Sequence, residues 1–218
     1  MKSKHKALVQ AVELIPDGSS LMIGGFMAVG TPHQVIGELL RQGKKDLTVI
    51  ANDSGMPGKG VGALITAKAI KHLIASHIGT NPETQRQMIA GECEVTLVPQ
   101  GTLVERIRAG GFGLGGVLTA TGVGTVIAQG KQTIELQGKQ YLIELPLRAD
   151  FALLAAHRCD YRGNLEYSMT ARNFNAVMAM AANTVIVEPE HIVPTGVIPP
   201  DAVVTPFCCV DYIVERTN

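Results

Sequence analysis

Residues of the right types and spacing to do chemistry fall in three places. The first is Gly24, Gly25, Phe26, Met27, Ala28, Val29 and Gly30, a glycine loop inside the stretch DGSSLMIGGFMAVGTP at residues 17–32. Glycines there let backbone approach a ligand with no Cβ in the way. A helix starting just after the loop would turn free N–H groups and the positive end of its dipole toward that ligand, which favours an anion such as phosphate or pyrophosphate. The spacing is neither the dinucleotide fingerprint G-x-G-x-x-G nor the P-loop, since no Lys follows Gly30. The plain alternative is that these glycines only make a tight turn. The other two places are Asn52 and Gln100, each just past an expected strand end. Their amides could donate to a ligand oxygen as charge develops on it, or serve as ordinary loop residues.

No carboxylate stands out as a nucleophile. Glu105 is expected to form a capping box with Thr102. Glu13, Glu38, Glu135 and Glu144 fall in expected helices or hairpin strands, where solvated positions are the usual outcome. Arg172, followed by Asn173 and Asn175, could pair with a carboxylate or another chain, or lie in solvent. His5, His33, His72, His77, His157 and His191 are scattered, none four residues from another on a helix, so structural roles and no metal site are expected. Cys93, Cys159, Cys208 and Cys209 show no C-x-x-C spacing, and without a secretory segment a reduced, cytoplasmic chain is expected. Cys208 and Cys209 lie in an apolar run and are read as buried small hydrophobes.

The elements that must position these residues follow from pattern. Residues 7–15 read as an amphipathic helix stopped by Pro16. Leu21, Met22 and Ile23 form a short buried strand, and Thr31, Pro32 and Gln34 predict a capping box for a helix running to about Gln42, closed by Gly43. Strands are expected at 47–51, 72–76 and 94–98, with a flexible run containing Pro57, Gly58, Gly60 and Gly62. Helices are expected from Asn81 and Pro82 to Gly91, and over 103–109. Such alternation argues for an open, mostly parallel α/β sheet with helices on both faces. Seven glycines between 110 and 124 suggest a binding loop or lid. Residues 132–145 read as a β-hairpin excursion about Gln137, Gly138 and Lys139. Strands at 150–156 and 184–187, a helix at 174–182 and a proline-rich connection at 189–206 complete the chain.

At 218 residues and 46% hydrophobic content the chain can bury a sizeable core, and one domain over 1–218 is expected. Its formal net charge is zero, so no global field attracts nucleic acid or an anionic membrane. No apolar run reaches the roughly 20 residues that span a bilayer.

The stretch at 17–32 resembles the signature of the family I coenzyme A transferases, A (alpha) subunit, of the short-chain acyl-CoA and acetoacetate type. That signature is an acidic residue or Asn, Gly, two variable residues, three apolar residues, Gly-Gly-Phe, three variable residues, Gly, one variable residue and Pro. Every position matches. LTVIANDSG at 47–55, SHIGTNPET at 76–84, VPQGTLVERIRAGGFG at 98–113 and ARNFN at 171–175 look like the same family in its order. Ala120 stands where members usually have Pro. The resemblance implies a CoA-transferase and sugar-phosphate isomerase-like fold, with acyl-CoA as substrate and no permanently bound cofactor. It also implies a short-chain carboxylate acceptor and a B (beta) partner subunit carrying the nucleophilic glutamate in a hetero-oligomer. Two other readings stay open: a noncatalytic CoA-binding protein, and a sugar-phosphate isomerase with Asp53 as its base.

Overall fold

The computed structural model describes residues 4–215. Its strands are β1 (Ser20–Ile23), β2 (Leu47–Ile50), β3 (Ile70–Ala75), β4 (Glu94–Leu97), β5 (Val117–Thr119), β6 (Thr133–Leu136), β7 (Lys139–Glu144), β8 (Ala149–Asp160), β9 (Leu165–Glu166), β10 (Ala182–Val193) and β11 (Tyr212–Ile213). The main sheet runs β11-β10-β8-β1-β2-β3-β4 with every neighbour parallel, and β9 pairs antiparallel with the far end of β8. The open, mostly parallel α/β sheet is as expected.

Side chains alternate across a strand, and both faces are covered. Leu21 and Ile23 of β1 enter one core with residues of α1 (Leu8–Glu13), α2 (His33–Arg41) and α3 (Val61–Thr66), among them Val12, Leu39 and Leu64. Between the strands on that side also runs α4 (Pro82–Ile89), capped by Asn81, whose side chain accepts from the Glu83 N–H. Met22 faces the second core, with Leu103 and Ile107 of α5 (Gln100–Gly111) and Val177 and Met178 of α6 (Asn175–Met178). The expected hairpin is present, turned by Gln137 and Gly138 at φ 52° and 73°, and β5 adds a third strand in the order β5-β7-β6. Part of the glycine-rich run at 110–124 is therefore strand.

Several local expectations are corrected. The run at 57–62 leads into α3 and is not wholly irregular. Neither capping box forms. Pro32 is itself the N-cap of α2, and Pro99 that of α5, which therefore starts three residues earlier than expected. Thr102 falls inside α5, its buried Oγ1 without a hydrogen-bond partner, while Glu105 pairs with Arg108 at 3.0 Å. The helix expected at 174–182 is one turn, because β10 begins at Ala182. In the expected connection at 189–206, β10 runs on to Val193 through Pro189. The proline is tolerated because β11 pairs only with Ile186 and Val187, leaving an edge beyond them. Glu38 and Glu144 are buried, not solvated. Glu38 is held by Arg41 and Gln42 at 2.6 Å, and Glu144 by Lys131 at 2.5 Å. Cys208 is exposed, not buried.

Candidate functional site

The glycine loop leaves the carboxyl end of β1, where open α/β sheets present ligand sites. Gly24 still continues the sheet, its N–H donating to Leu153 O at 3.0 Å. The chain then makes a miniature hairpin in which Phe26 and Val29 exchange N–H···O bonds of 3.0 and 2.9 Å. Its two central residues, Met27 and Ala28, sit at φ 47° and 68°, a left-handed pair that normally calls for Gly or Asn. Such strain persists only where the surroundings over-determine it.

Those surroundings are four side chains, one of them His33, whose Nε2 lies 3.1 Å from Ala28 O. The Asp53 carboxylate accepts from the Met27 N–H at 2.9 Å. Asn173 accepts from the Gly25 N–H at 3.1 Å and donates to Val29 O at 3.0 Å. Asn175, fully buried, donates to Gly30 O at 2.8 Å and accepts from the Ala155 N–H of β8 at 3.0 Å. The ARNFN segment is thus a clamp on the loop, while Arg172 beside it is exposed. This explains the glycines differently from the sequence reading. A Cβ on Gly24 would lie 1.9 Å from Asn175 Oδ1, and one on Gly30 would lie 2.5 Å from Ala171 O. The missing side chains admit the protein's own clamp.

The helix N-terminus is also used internally. The Gln34 and Val35 N–H groups donate to Glu188 Oε2 at 2.9 and 3.0 Å. Glu188 comes from β10 and is only 4% exposed. A carboxylate of the chain itself therefore faces the positive end of α2, the place the sequence reading gave to a bound phosphate. Glu188 lies outside every motif recognised in the sequence, and one acidic residue inside an apolar strand, VIVEP, was the signal for it.

A second loop, after β2, lies against the first. Asn52 is buried with both ends of its amide engaged: Nδ2 donates to Asp53 Oδ2 at 2.7 Å, and Oδ1 accepts from Gln100 Nε2 at 2.6 Å. Asp53 Oδ1 accepts from the Gly55 N–H at 2.7 Å. With three donors on its two oxygens, the Asp53 carboxylate is an anchored acceptor, poorly suited to abstracting a proton. The Asn52 amide does not face solvent, but it positions Gln100, which is exposed. Gln100 and Phe26 line one cleft of about 250 Å³ with Gly101, Val104, Asn173 and Phe174. The two loops present large apolar side chains to solvent: Phe26, which lines the cleft, with Met27 and Val29 from the first and Met56 from the second. A larger cleft of about 470 Å³ lies elsewhere, between the end of β4, α5 and the small sheet. There burial pulls the Arg106 guanidinium below its usual range despite nearby Glu144. None of the sequence-nominated residues lines it.

Residues 5–216 match the family model described as Coenzyme A transferase. The acetate CoA-transferase subunit alpha of Escherichia coli strain K12 is 54% identical over 214 residues, 98% of this chain and 97% of that one. The acetoacetyl-CoA:acetate/butyrate CoA transferase alpha subunit of Clostridium acetobutylicum is 51% identical over 216 residues, 99% of each chain. Among solved structures, the acyl-CoA transferase of E. coli O157:H7 in a thioester complex with CoA superposes with a TM-score of 0.87 at 21% identity. The match covers 99% of this chain and 47% of that one, so this chain has the fold of about half that protein.

Proposed function

The chain belongs to the coenzyme A transferase family as an alpha-type subunit, and on that premise we propose that it is the A half of a heteromeric enzyme. The enzyme moves CoA between short-chain acids such as acetate, acetoacetate and butyrate. The observation that carries this reading is the pair of clasped loops, whose apolar tips stand in solvent and one of which, Phe26, lines a cleft with Gln100. Exposed apolar side chains in one place mark a surface that meets a partner or ligand.

In this reading the glutamate carboxylate belongs to the B subunit. It attacks the acyl-CoA carbonyl, forming a mixed anhydride and releasing CoA thiolate. The thiolate attacks the glutamyl carbonyl, giving the enzyme thioester and the free acid, and the acceptor acid runs the same steps in reverse. Gly24 to Gly30 fixes the wall against which the CoA arm lies. Gln100, held by Asn52, offers an amide N–H to the developing oxyanion. CoA enters and leaves as a substrate, and nothing in the cycle requires a bound cofactor.

Among the described residues no helix is long and apolar enough to cross a membrane. The four cysteines are free, which supports a reducing cytoplasmic setting.

The test is intact mass of the natively purified assembly after acetyl-CoA and borohydride, which traps a glutamyl thioester. A second chain that copurifies and alone changes mass is the expected result. A mass change on this chain, or transfer by this chain alone, overturns the proposal.

A further inference from the structure

β8 and β10 outrun the rest of the main sheet. β1 stops at Ile23, opposite Leu153, whereas β8 continues to Asp160 with β10 beside it to Val193. On this projecting pair the register sets Ala156 against Pro189 and Arg158 against His191, which brings His157 level with Glu190. His157 Nδ1 and Glu190 Oε2 are 2.8 Å apart. The imidazoles of His157 and His191 meet edge to face, with centroids 5.4 Å apart. One ligand atom from each of His157, Glu190 and His191 lies within 4.8 Å of the other two. Two of the six histidines scattered in sequence, for which no metal site is expected, are brought together here by strand pairing.

We propose that His157, Glu190 and His191 bind a zinc-class divalent cation across the β8–β10 pair. Two imidazoles and a carboxylate are a borderline N/O donor set, suited to zinc and poorly matched to calcium or magnesium. Tetrahedral zinc with bonds of about 2.0–2.1 Å holds its ligands about 3.3 Å apart. The ligand atoms, all within 4.8 Å of one another, must therefore close by at most about 1.5 Å, which side-chain rotation can supply with the strands in place. His157 is half-buried while Glu190 and His191 are exposed, so an ion can enter from solvent. On binding, Glu190 exchanges its contact with His157 for the metal, each imidazole binds through the ring nitrogen that carries no proton while the other nitrogen keeps its hydrogen, and a fourth position remains for water. The neighbouring cation, Arg158, is already paired with Glu166. The ion would tie β10 to β8 two residues beyond Ala155, whose N–H anchors the Asn175 clamp on the glycine loop.

The test is zinc titration by calorimetry on the chelator-treated native assembly, with Cys208→Ser and Cys209→Ser introduced throughout because these adjacent thiols, 4.0 Å apart, also attract zinc. One zinc per chain is expected, with a rise in melting temperature. His157→Ala and His191→Ala should each weaken binding by at least about tenfold, and Glu190→Gln by less, as expected for loss of one ligand of three. His72→Ala, on distant β3, should bind as the parent does. Substitutions at solvent-facing ligands leave the core intact, and an unchanged far-UV spectrum verifies the fold. No binding below about 100 µM zinc, weak for any site of this donor set, overturns the proposal. So does binding that survives the His157→Ala/His191→Ala double variant.

Discussion

Replacing Asp53 with Asn tests whether an internal carboxylate sets the shape of the glycine loop. Asp53 accepts three hydrogen bonds, from Met27 N–H, Asn52 Nδ2 and Gly55 N–H. The Asn side chain is nearly isosteric but has one acceptor and one donor end. If its oxygen stays toward Met27 and Asn52, its Nδ2 opposes the Gly55 N–H; turned over, it opposes the other two donors. Either way at least one charge-assisted bond, worth about 1.5–3 kcal/mol, is lost and a buried N–H is left without an acceptor. A destabilisation of about 3 kcal/mol is expected, which for a chain of this size lowers the melting temperature by about 6–12 °C. The functional effect should exceed the thermal one, because Met27 and Ala28 keep positive φ only while anchored. Below the melting transition, acyl-CoA KM should rise severalfold, by the loss of a preorganised wall. Calorimetry and steady-state CoA transfer on the native assembly read both quantities. A variant within about 1 °C of the parent, with KM unchanged, would refute the claim that Asp53 holds this loop.

Two further outcomes follow from buried and paired charges. Glu188→Ala strands the Gln34 and Val35 N–H groups at the start of α2. At about 1–3 kcal/mol each this should cost about 4 kcal/mol in urea unfolding, whereas Glu188→Gln, which keeps an acceptor, should cost about 1 kcal/mol; equal losses in the two variants would contradict the capping role. Arg86 bonds both Glu83 and Glu92 and holds each carboxyl down at about 2, well below the ordinary 4.5. Their contribution is therefore present above pH 4.5 and lost as pH falls toward 2, and Arg86→Ala should flatten the stability–pH curve across that window, measured by urea melts at stepped pH.

How much of this was legible in the sequence depended on how local the cause was. Strand–helix alternation, the Asn81 cap and the Gln137–Gly138 turn are decided within a few residues, and each stands where pattern put it. The failures were caps and lengths. Thr31 and Thr102 are well placed in sequence to cap, yet a proline just before each helix took that position. What satisfies α2 instead is Glu188, 154 residues from Gln34, and no window of sequence couples the two. The length of β10 was hidden for a similar reason: Pro189 reads as a terminator unless the strand is known to be an edge there. The cluster of His157, Glu190 and His191 likewise exists only once parallel pairing sets its register.

The correction at α2 changes how the glycine motif should be understood. A glycine loop followed by a helix invites an anion because free N–H groups and a dipole point at the gap. Here the gap is already filled by a buried carboxylate, and the glycines make room for Asn175 and Ala171. The motif therefore encodes rigidity before it encodes binding. Its glycines position a short, strained turn, and the turn's apolar tips, Phe26, Met27 and Val29, face solvent. A loop built only to hold a phosphate would have no use for such tips. One built, as proposed above, to meet the CoA arm and a second subunit would need them held still, since any motion would cost binding energy in ordering the loop. The clamp of Asp53, Asn173 and Asn175 supplies that order in advance.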